Sequence, residues 1–107
     1  MKEINDLKEL QKIEASGKSS IIEFGMPKSC VACLYVDEHL KTMEQKLVFE
    51  DLDYYFCKNI DIMTKLGYNY VPVVLLVSKK YKAEQFERDI STNYEKLVEW
   101  INSVIKN

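Results

Sequence analysis

Cys30 and Cys33 stand three residues apart in Met26-Pro27-Lys28-Ser29-Cys30-Val31-Ala32-Cys33, just after the apolar run Ser20-Ile21-Ile22-Glu23-Phe24 and at the start of a helical pattern. Two thiols at this spacing can close a disulfide with each other, supply half of a zinc site, or simply fill a core. A strand-to-helix junction is a place for thiol chemistry. The N–H groups of a first helical turn have no intrahelical partners, and the macrodipole adds roughly half a positive charge there, so a thiolate at Cys30 is favoured. Lys28 brings a nearby cation. Downstream, Cys33, Val36, Leu40, Met43 and Leu47 recur at spacings of three and four, one apolar stripe that turns Cys33 inward. Cys30, a turn earlier, faces solvent. One thiol is thus placed to attack and a sheltered one to resolve.

A zinc site would show a second ligand pair at short spacing, but the other candidates, Cys57 and His39, form neither a second Cys-x-x-Cys nor a His-x-x-x-His. No metal is expected. The 107 residues are 47% apolar and 30% charged, the balance of one soluble globular domain over residues 1–107 that builds its core without disulfide staples. With a net charge of -2 and no basic cluster beyond Lys79, Lys80 and Lys82, nucleic acid is not an expected partner. No apolar run approaches a membrane span, and Met1-Lys2-Glu3-Ile4-Asn5-Asp6 has no signal-peptide core. A cytoplasmic location without membrane contact follows as the expectation. An odd count of three cysteines fits the same reducing compartment.

The elements that must position the thiols can be read in order. A short strand at Lys2-Glu3-Ile4 precedes a helix capped by Asn5 or Asp6, with Glu9 in a box-like spacing, Leu7, Leu10 and Ile13 inward, and Gly17 at its end. Ser19 to Phe24 forms a strand whose polar interruption is Glu23. The Cys30 helix runs to about Gln45, and a third strand spans roughly Tyr54 to Asn59, with Cys57 as a small apolar residue on its face. Asp61 caps a short helix that stops at Gly67. An apolar strand follows from Tyr70 to Val77, with Pro72 near its start, where proline is tolerated. Ala83 to Arg88 reads as a polar edge strand, and Thr92 with Glu95 as the capping box of a last helix with Leu97, Ile101 and Val104 inward and Trp100 beside them.

This order, with its Cys-x-x-Cys after the second strand and Val71-Pro72 before an apolar strand, resembles the thioredoxin family over nearly the whole chain. The resemblance implies an α/β thioredoxin fold, a central mixed sheet flanked by helices. It puts the Val71-Pro72 loop, cis at Pro72, beside the active-site loop. Glu23 falls where the family keeps a buried carboxylate behind the resolving cysteine, provided one residue is counted as an insertion at Gly25-Met26-Pro27. Substrate docking then falls to Val71, Pro72, Lys28 and Ser29. The chain departs from the family in Ser29, where a tryptophan usually stands, in Val31-Ala32 for Gly-Pro, and in Asp89 near the usual docking glycine.

The expected activity is thiol-disulfide exchange that reduces protein disulfides, with Cys30 as nucleophile, Cys33 as resolving thiol and Glu23 moving the proton of Cys33. No bound cofactor is needed, since electrons pass through the protein's own thiols, but a separate reductase must return them. The chain is expected to work as a monomer. A peptide-binding module of the same fold without turnover, and a Cys30/Cys33/Cys57/His39 zinc domain, are the alternatives.

Overall fold

Two strands contain no exposed residue, Ser20–Phe24 and Val73–Val77, and burial on both faces requires helices on either side of them. The computed structural model describes residues 1–107. In chain order it contains β1 (Lys2–Glu3), α1 (Leu7–Ser16), β2 (Ser20–Phe24), α2 (Val31–Gln45), β3 (Asp53–Cys57) and α3 (Ile60–Lys65). The second half adds β4 (Val73–Val77), β5 (Lys82–Gln85), α4 (Arg88–Ser91) and α5 (Tyr94–Lys106). The strands form one mixed sheet in the order β1-β3-β2-β4-β5. β1, β3 and β2 run parallel, while β4 and β5 pair antiparallel.

Because successive strand residues point to opposite faces, each buried strand feeds two cores. Ile22 and Phe24 of β2 pack with Leu10 of α1 and with Ile62 and Met63 of α3. Ile21 faces the other way, onto Val36, Leu40 and Met43 of α2 and Leu97 and Ile101 of α5. Glu23 shares the α2 side by the same alternation. In register it lies between Phe56 of β3 and Val74 of β4.

Local chemistry sets most boundaries. The Asp6 carboxylate accepts from the Glu9 N–H to start α1, and Gly17, at φ 74°, ends it in the left-handed region. The structure moves several other boundaries. Asn59, not Asp61, caps α3 by accepting from the Ile62 N–H, which leaves Asp61 in the first turn. β3 stops at Cys57 and β4 begins only at Val73, since Pro72 cannot donate to a ladder. The expected edge strand to Arg88 ends at Gln85, because residues 88–91 wind into α4. Thr92 closes that turn, and the cap of α5 falls to Asn93, which accepts from the Lys96 N–H.

The apolar stripe on α2 also ends early. Leu47 lies past the helix, 78% exposed and at φ 51°. The Leu47 N–H reaches the Glu44 carbonyl and the Val48 N–H the Met43 carbonyl, the paired bonds of a Schellman motif. Glycine normally occupies that left-handed position, where a Cβ costs roughly 1–2 kcal/mol. Leu47→Gly is therefore expected to stabilise the fold by about 0.5–1 kcal/mol, with the rest offset by the greater freedom of the unfolded chain. Urea melts with an unchanged slope will show it as a higher midpoint. A lower midpoint would mean that the Leu47 side chain contributes packing here.

Candidate active site

The turn from β2 to α2 holds both thiols. Cys30 is the N-cap residue of α2, with extended backbone, and its Sγ accepts the Cys33 N–H at 3.1 Å. The sulfur thus takes one of the unpartnered donors of the first turn, the role a serine or aspartate side chain plays at other helices. Cys33 is fully buried and its Sγ accepts the Met26 N–H at 3.5 Å, whereas Cys30 is half-buried. Both sulfurs face backbone N–H groups, which favours negative charge on sulfur. Here the two are joined as a disulfide, with Cα atoms 5.2 Å apart.

Beside Cys30 lies a cleft whose lining includes Ser29, Val31, Tyr70, Val71 and Arg88. The Val71-Pro72 bond is cis. Val71 borders the cleft, while Pro72 is buried beneath it and Lys28 is exposed outside its lining. Val31 and Tyr70 give the rim apolar exposure, 69% and 57%. Arg88 escaped the sequence reading, which placed it at the end of a strand. It opens α4 instead and donates from its guanidinium to the Val71 carbonyl at 2.7 Å. A single cation after a polar strand has no periodic signal that would have marked it. Asp89, beside it, is exposed in the first turn of α4.

Glu23 sits under this junction. It is 3% exposed, and its Oε1 is buried with no hydrogen-bond partner. Gly25 measures its approach to the thiol: a Cβ built there would lie 3.2 Å from both the Cys33 Sγ and the Glu23 Oε2. A larger residue would wedge between them. Burial pushes the carboxyl up from 4.5 to about 9, helped by the charge of Asp37 and a side-chain hydrogen bond with it, and opposed by Lys41. Glu23 is accordingly neutral at pH 7. Phe24, the next residue of the strand, points to the opposite core.

The remaining thiol and the imidazole lie elsewhere. Cys57 is buried in the α1/α3 core, and burial pushes its thiol up. The His39 Nε2 lies 2.8 Å from the Thr92 carbonyl, with its ring against Tyr94. Cys57 and His39 of the zinc alternative thus make no site with the Cys30–Cys33 pair, and no three such groups converge on one point.

No protein-family model and no curated sequence matches the chain. Solved structures do. The oxidised mitochondrial thioredoxin 3 of Saccharomyces cerevisiae is 17% identical, with a TM-score of 0.79 over 97% of this chain and 95% of that one. Thioredoxin of Fasciola hepatica is 15% identical, with a TM-score of 0.78 over 97% of this chain and 99% of that one. A chloroplastic thioredoxin z is 16% identical, with a TM-score of 0.79 over 100% and 96%. The chain has the thioredoxin fold, an α/β mixed sheet flanked by helices.

Two outcomes follow from the site's geometry. In the reduced protein, a brief iodoacetamide pulse at neutral pH should alkylate Cys30 and spare Cys33 and Cys57; mass mapping that finds Cys57 labelled first would overturn the assignment. Glu23→Leu should raise stability, because ionised Glu23 is disfavoured in the fold. The folded carboxyl titrates above its unfolded value, so the wild type loses stability relative to Glu23→Leu from about pH 4.5 upward, by up to ~1.4 kcal/mol per pH unit, until near pH 9. Denaturant melts of both proteins across that window check the sign. A gap that stays flat as pH rises would place the Glu23 carboxyl in a wet environment.

Proposed function

We propose that this thioredoxin-fold chain is a thiol-disulfide oxidoreductase that reduces protein disulfides through Cys30 and Cys33. One observation carries it: an asymmetric thiol pair, one sulfur capping a helix at the edge of a cleft and the other buried behind it, faces a cis Val71-Pro72 bond. The Cys30 thiolate attacks a client disulfide, forming a Cys30–client bond and releasing one client thiolate. Glu23, once ionised, takes the proton of Cys33. The Cys33 thiolate then attacks the Cys30 sulfur, closing Cys30–Cys33 and releasing the second client thiolate, and both released thiolates take protons from water. The client gains two electrons and the protein's dithiol loses them.

Val71 suits an extended client, since its N–H makes no hydrogen bond within the chain and points to strand-like addition. Its carbonyl is held by Arg88, so a client uses the N–H alone or shares the carbonyl with the guanidinium. Ser29 lines the same cleft; Lys28 contributes charge near its mouth, and Pro72 shapes the Val71 backbone. Cycling requires a separate reductase and no bound cofactor. No helix is long and apolar enough to cross a membrane. With one buried thiol left unpaired at Cys57, a reducing compartment, the cytoplasm, is the setting that fits. We take the chain of residues 1–107 to act as a single domain and a monomer.

Insulin reduction with dithiothreitol tests turnover, which a peptide-binding module would lack. Cys33→Ser should trap clients through Cys30, because the mixed disulfide has lost its resolving thiol. Adducts recovered under non-reducing conditions should be released by dithiothreitol. The same bands in Cys30→Ser would overturn the assignment of the nucleophile.

A further inference from the structure

Cys33, Asp37 and Lys41 follow one another at intervals of four on α2, so they form a column along one flank of the helix. The column climbs from a fully buried sulfur to an exposed ammonium. The Asp37 Oδ2 accepts from the Lys41 Nζ at 2.8 Å, with side-chain exposures of 21% for Asp37 and 55% for Lys41. Taken alone, that pair is an ordinary surface contact, of the kind worth about 0.3–0.5 kcal/mol. Asp37 has a second neighbour, however. Together with Glu23, Gly25, Pro27, Phe56 and Cys57 it lines a cavity of about 10 Å³, with room for one water at most. Into this gap β2 directs a carboxyl group that is almost wholly buried and has an unpartnered oxygen. Two carboxyl groups that meet across so small a gap repel when both are ionised and are held together when they share one proton.

The proposed function, on which this inference rests, needs Glu23 to lose its resting proton before it can accept one from Cys33, and to regain it afterwards. When Cys33 resolves a mixed disulfide, its proton passes to Glu23. When a thiol reductant later opens Cys30–Cys33 by attack on Cys30, the departing Cys33 thiolate takes a proton back from Glu23. Each cycle requires an ionised Glu23 at the resolving step, and burial makes that the minor form at neutral pH. Glu23 itself is almost wholly buried.

We propose that Asp37 is the proton outlet of the site, passing protons between the buried Glu23 carboxyl and solvent, with Lys41 fixing the Asp37 side chain at the outer end of the column. The transfer is balanced at each end. Glu23 gives its proton to the Asp37 carboxylate, Asp37 gives it to water, and neither group changes its covalent bonds. Lys41 is itself kept charged, chiefly by its hydrogen bond to Asp37 and then by that carboxylate's charge. Asp37 does not touch the reacting sulfurs, so it is a positioning residue that acts through Glu23.

The test follows two steps separately. Stopped-flow mixing of the reduced protein with a chromogenic aromatic disulfide reads Cys30 attack as release of the first thiolate and Cys33 resolution as release of the second. Carbon NMR of labelled glutamate reads the Glu23 titration directly, in the presence of the other groups that face it, Cys33, Asp37 and Lys41 from α2; its register neighbour on β3 is the uncharged Phe56. From β4 its neighbour in register is the uncharged Val74. In Asp37→Asn the attack should be unchanged, resolution at pH 7 about tenfold slower, and the Glu23 midpoint lower by ~1 pH unit as a like charge is lost. Asp37→Glu should keep most of the rate, and added imidazole should restore resolution in Asp37→Ala by carrying the proton itself. Equal slowing of attack and resolution, no slowing at all, or slowing that imidazole leaves untouched would overturn the outlet while wild-type exchange stands. A wild-type chain without exchange would instead overturn the function on which it rests.

Discussion

Covering β2 on both faces is the constraint from which the rest of the structure follows. A strand sealed by α1 and α3 on one side and by α2 and α5 on the other must be apolar almost throughout, and Ile21, Ile22 and Phe24 meet that demand. Glu23 does not. A carboxyl at that depth stays neutral because desolvation penalises its charged form, and its stability cost is borne by the packing of the flanking residues. The same seal directs the chain out of the sheet at Gly25, so that the β2-α2 junction surfaces directly above the carboxyl. The chemistry is placed where the chain passes from its driest segment to its first wet turn.

At that junction the helix terminus and the thiol serve each other. Cys30 caps α2 through sulfur, so the group that would react also completes the helix, and the N–H it receives is one a thiolate accepts better than a thiol. Cys33 has a donor of its own in Met26 but no exposure. The two positions differ in access more than in polarity. Across the cleft, Val71 lines the opposite wall. Its carbonyl is engaged by Arg88, which ties the Val71-Pro72 loop to the short helix α4.

Much of this was legible in the residues. Periodicity located the long elements, because the stripes of α2 and α5 and the unbroken apolar runs of β2 and β4 are set by burial. The thiol pair and Val71-Pro72 were visible because their residue types are rare and tied to backbone geometry. What escaped was decided by competition among similar local options. Asn59 and Asp61 can both cap a helix, as can Thr92 and Asn93, and only tertiary placement chooses between them. Leu47 continued the α2 stripe in sequence but not in space, because a Schellman turn had already ended the helix. Arg88 and Asp37 were invisible for another reason. A single charge on a polar face carries no pattern, and its meaning comes from what lies opposite: the Val71 carbonyl in one case and the Glu23 cavity in the other.

The two-sided sheet also separates the sulfurs. Cys57 packs with Phe24, Ile62 and Met63 on the α1/α3 side, while Cys33 hangs from α2 on the opposite face. A chain with three thiols could in principle close three different internal crosslinks, and two of them would be dead ends. Here the layer of backbone between Cys57 and the Cys30–Cys33 pair acts as insulation, so oxidation of the three thiols has one internal destination.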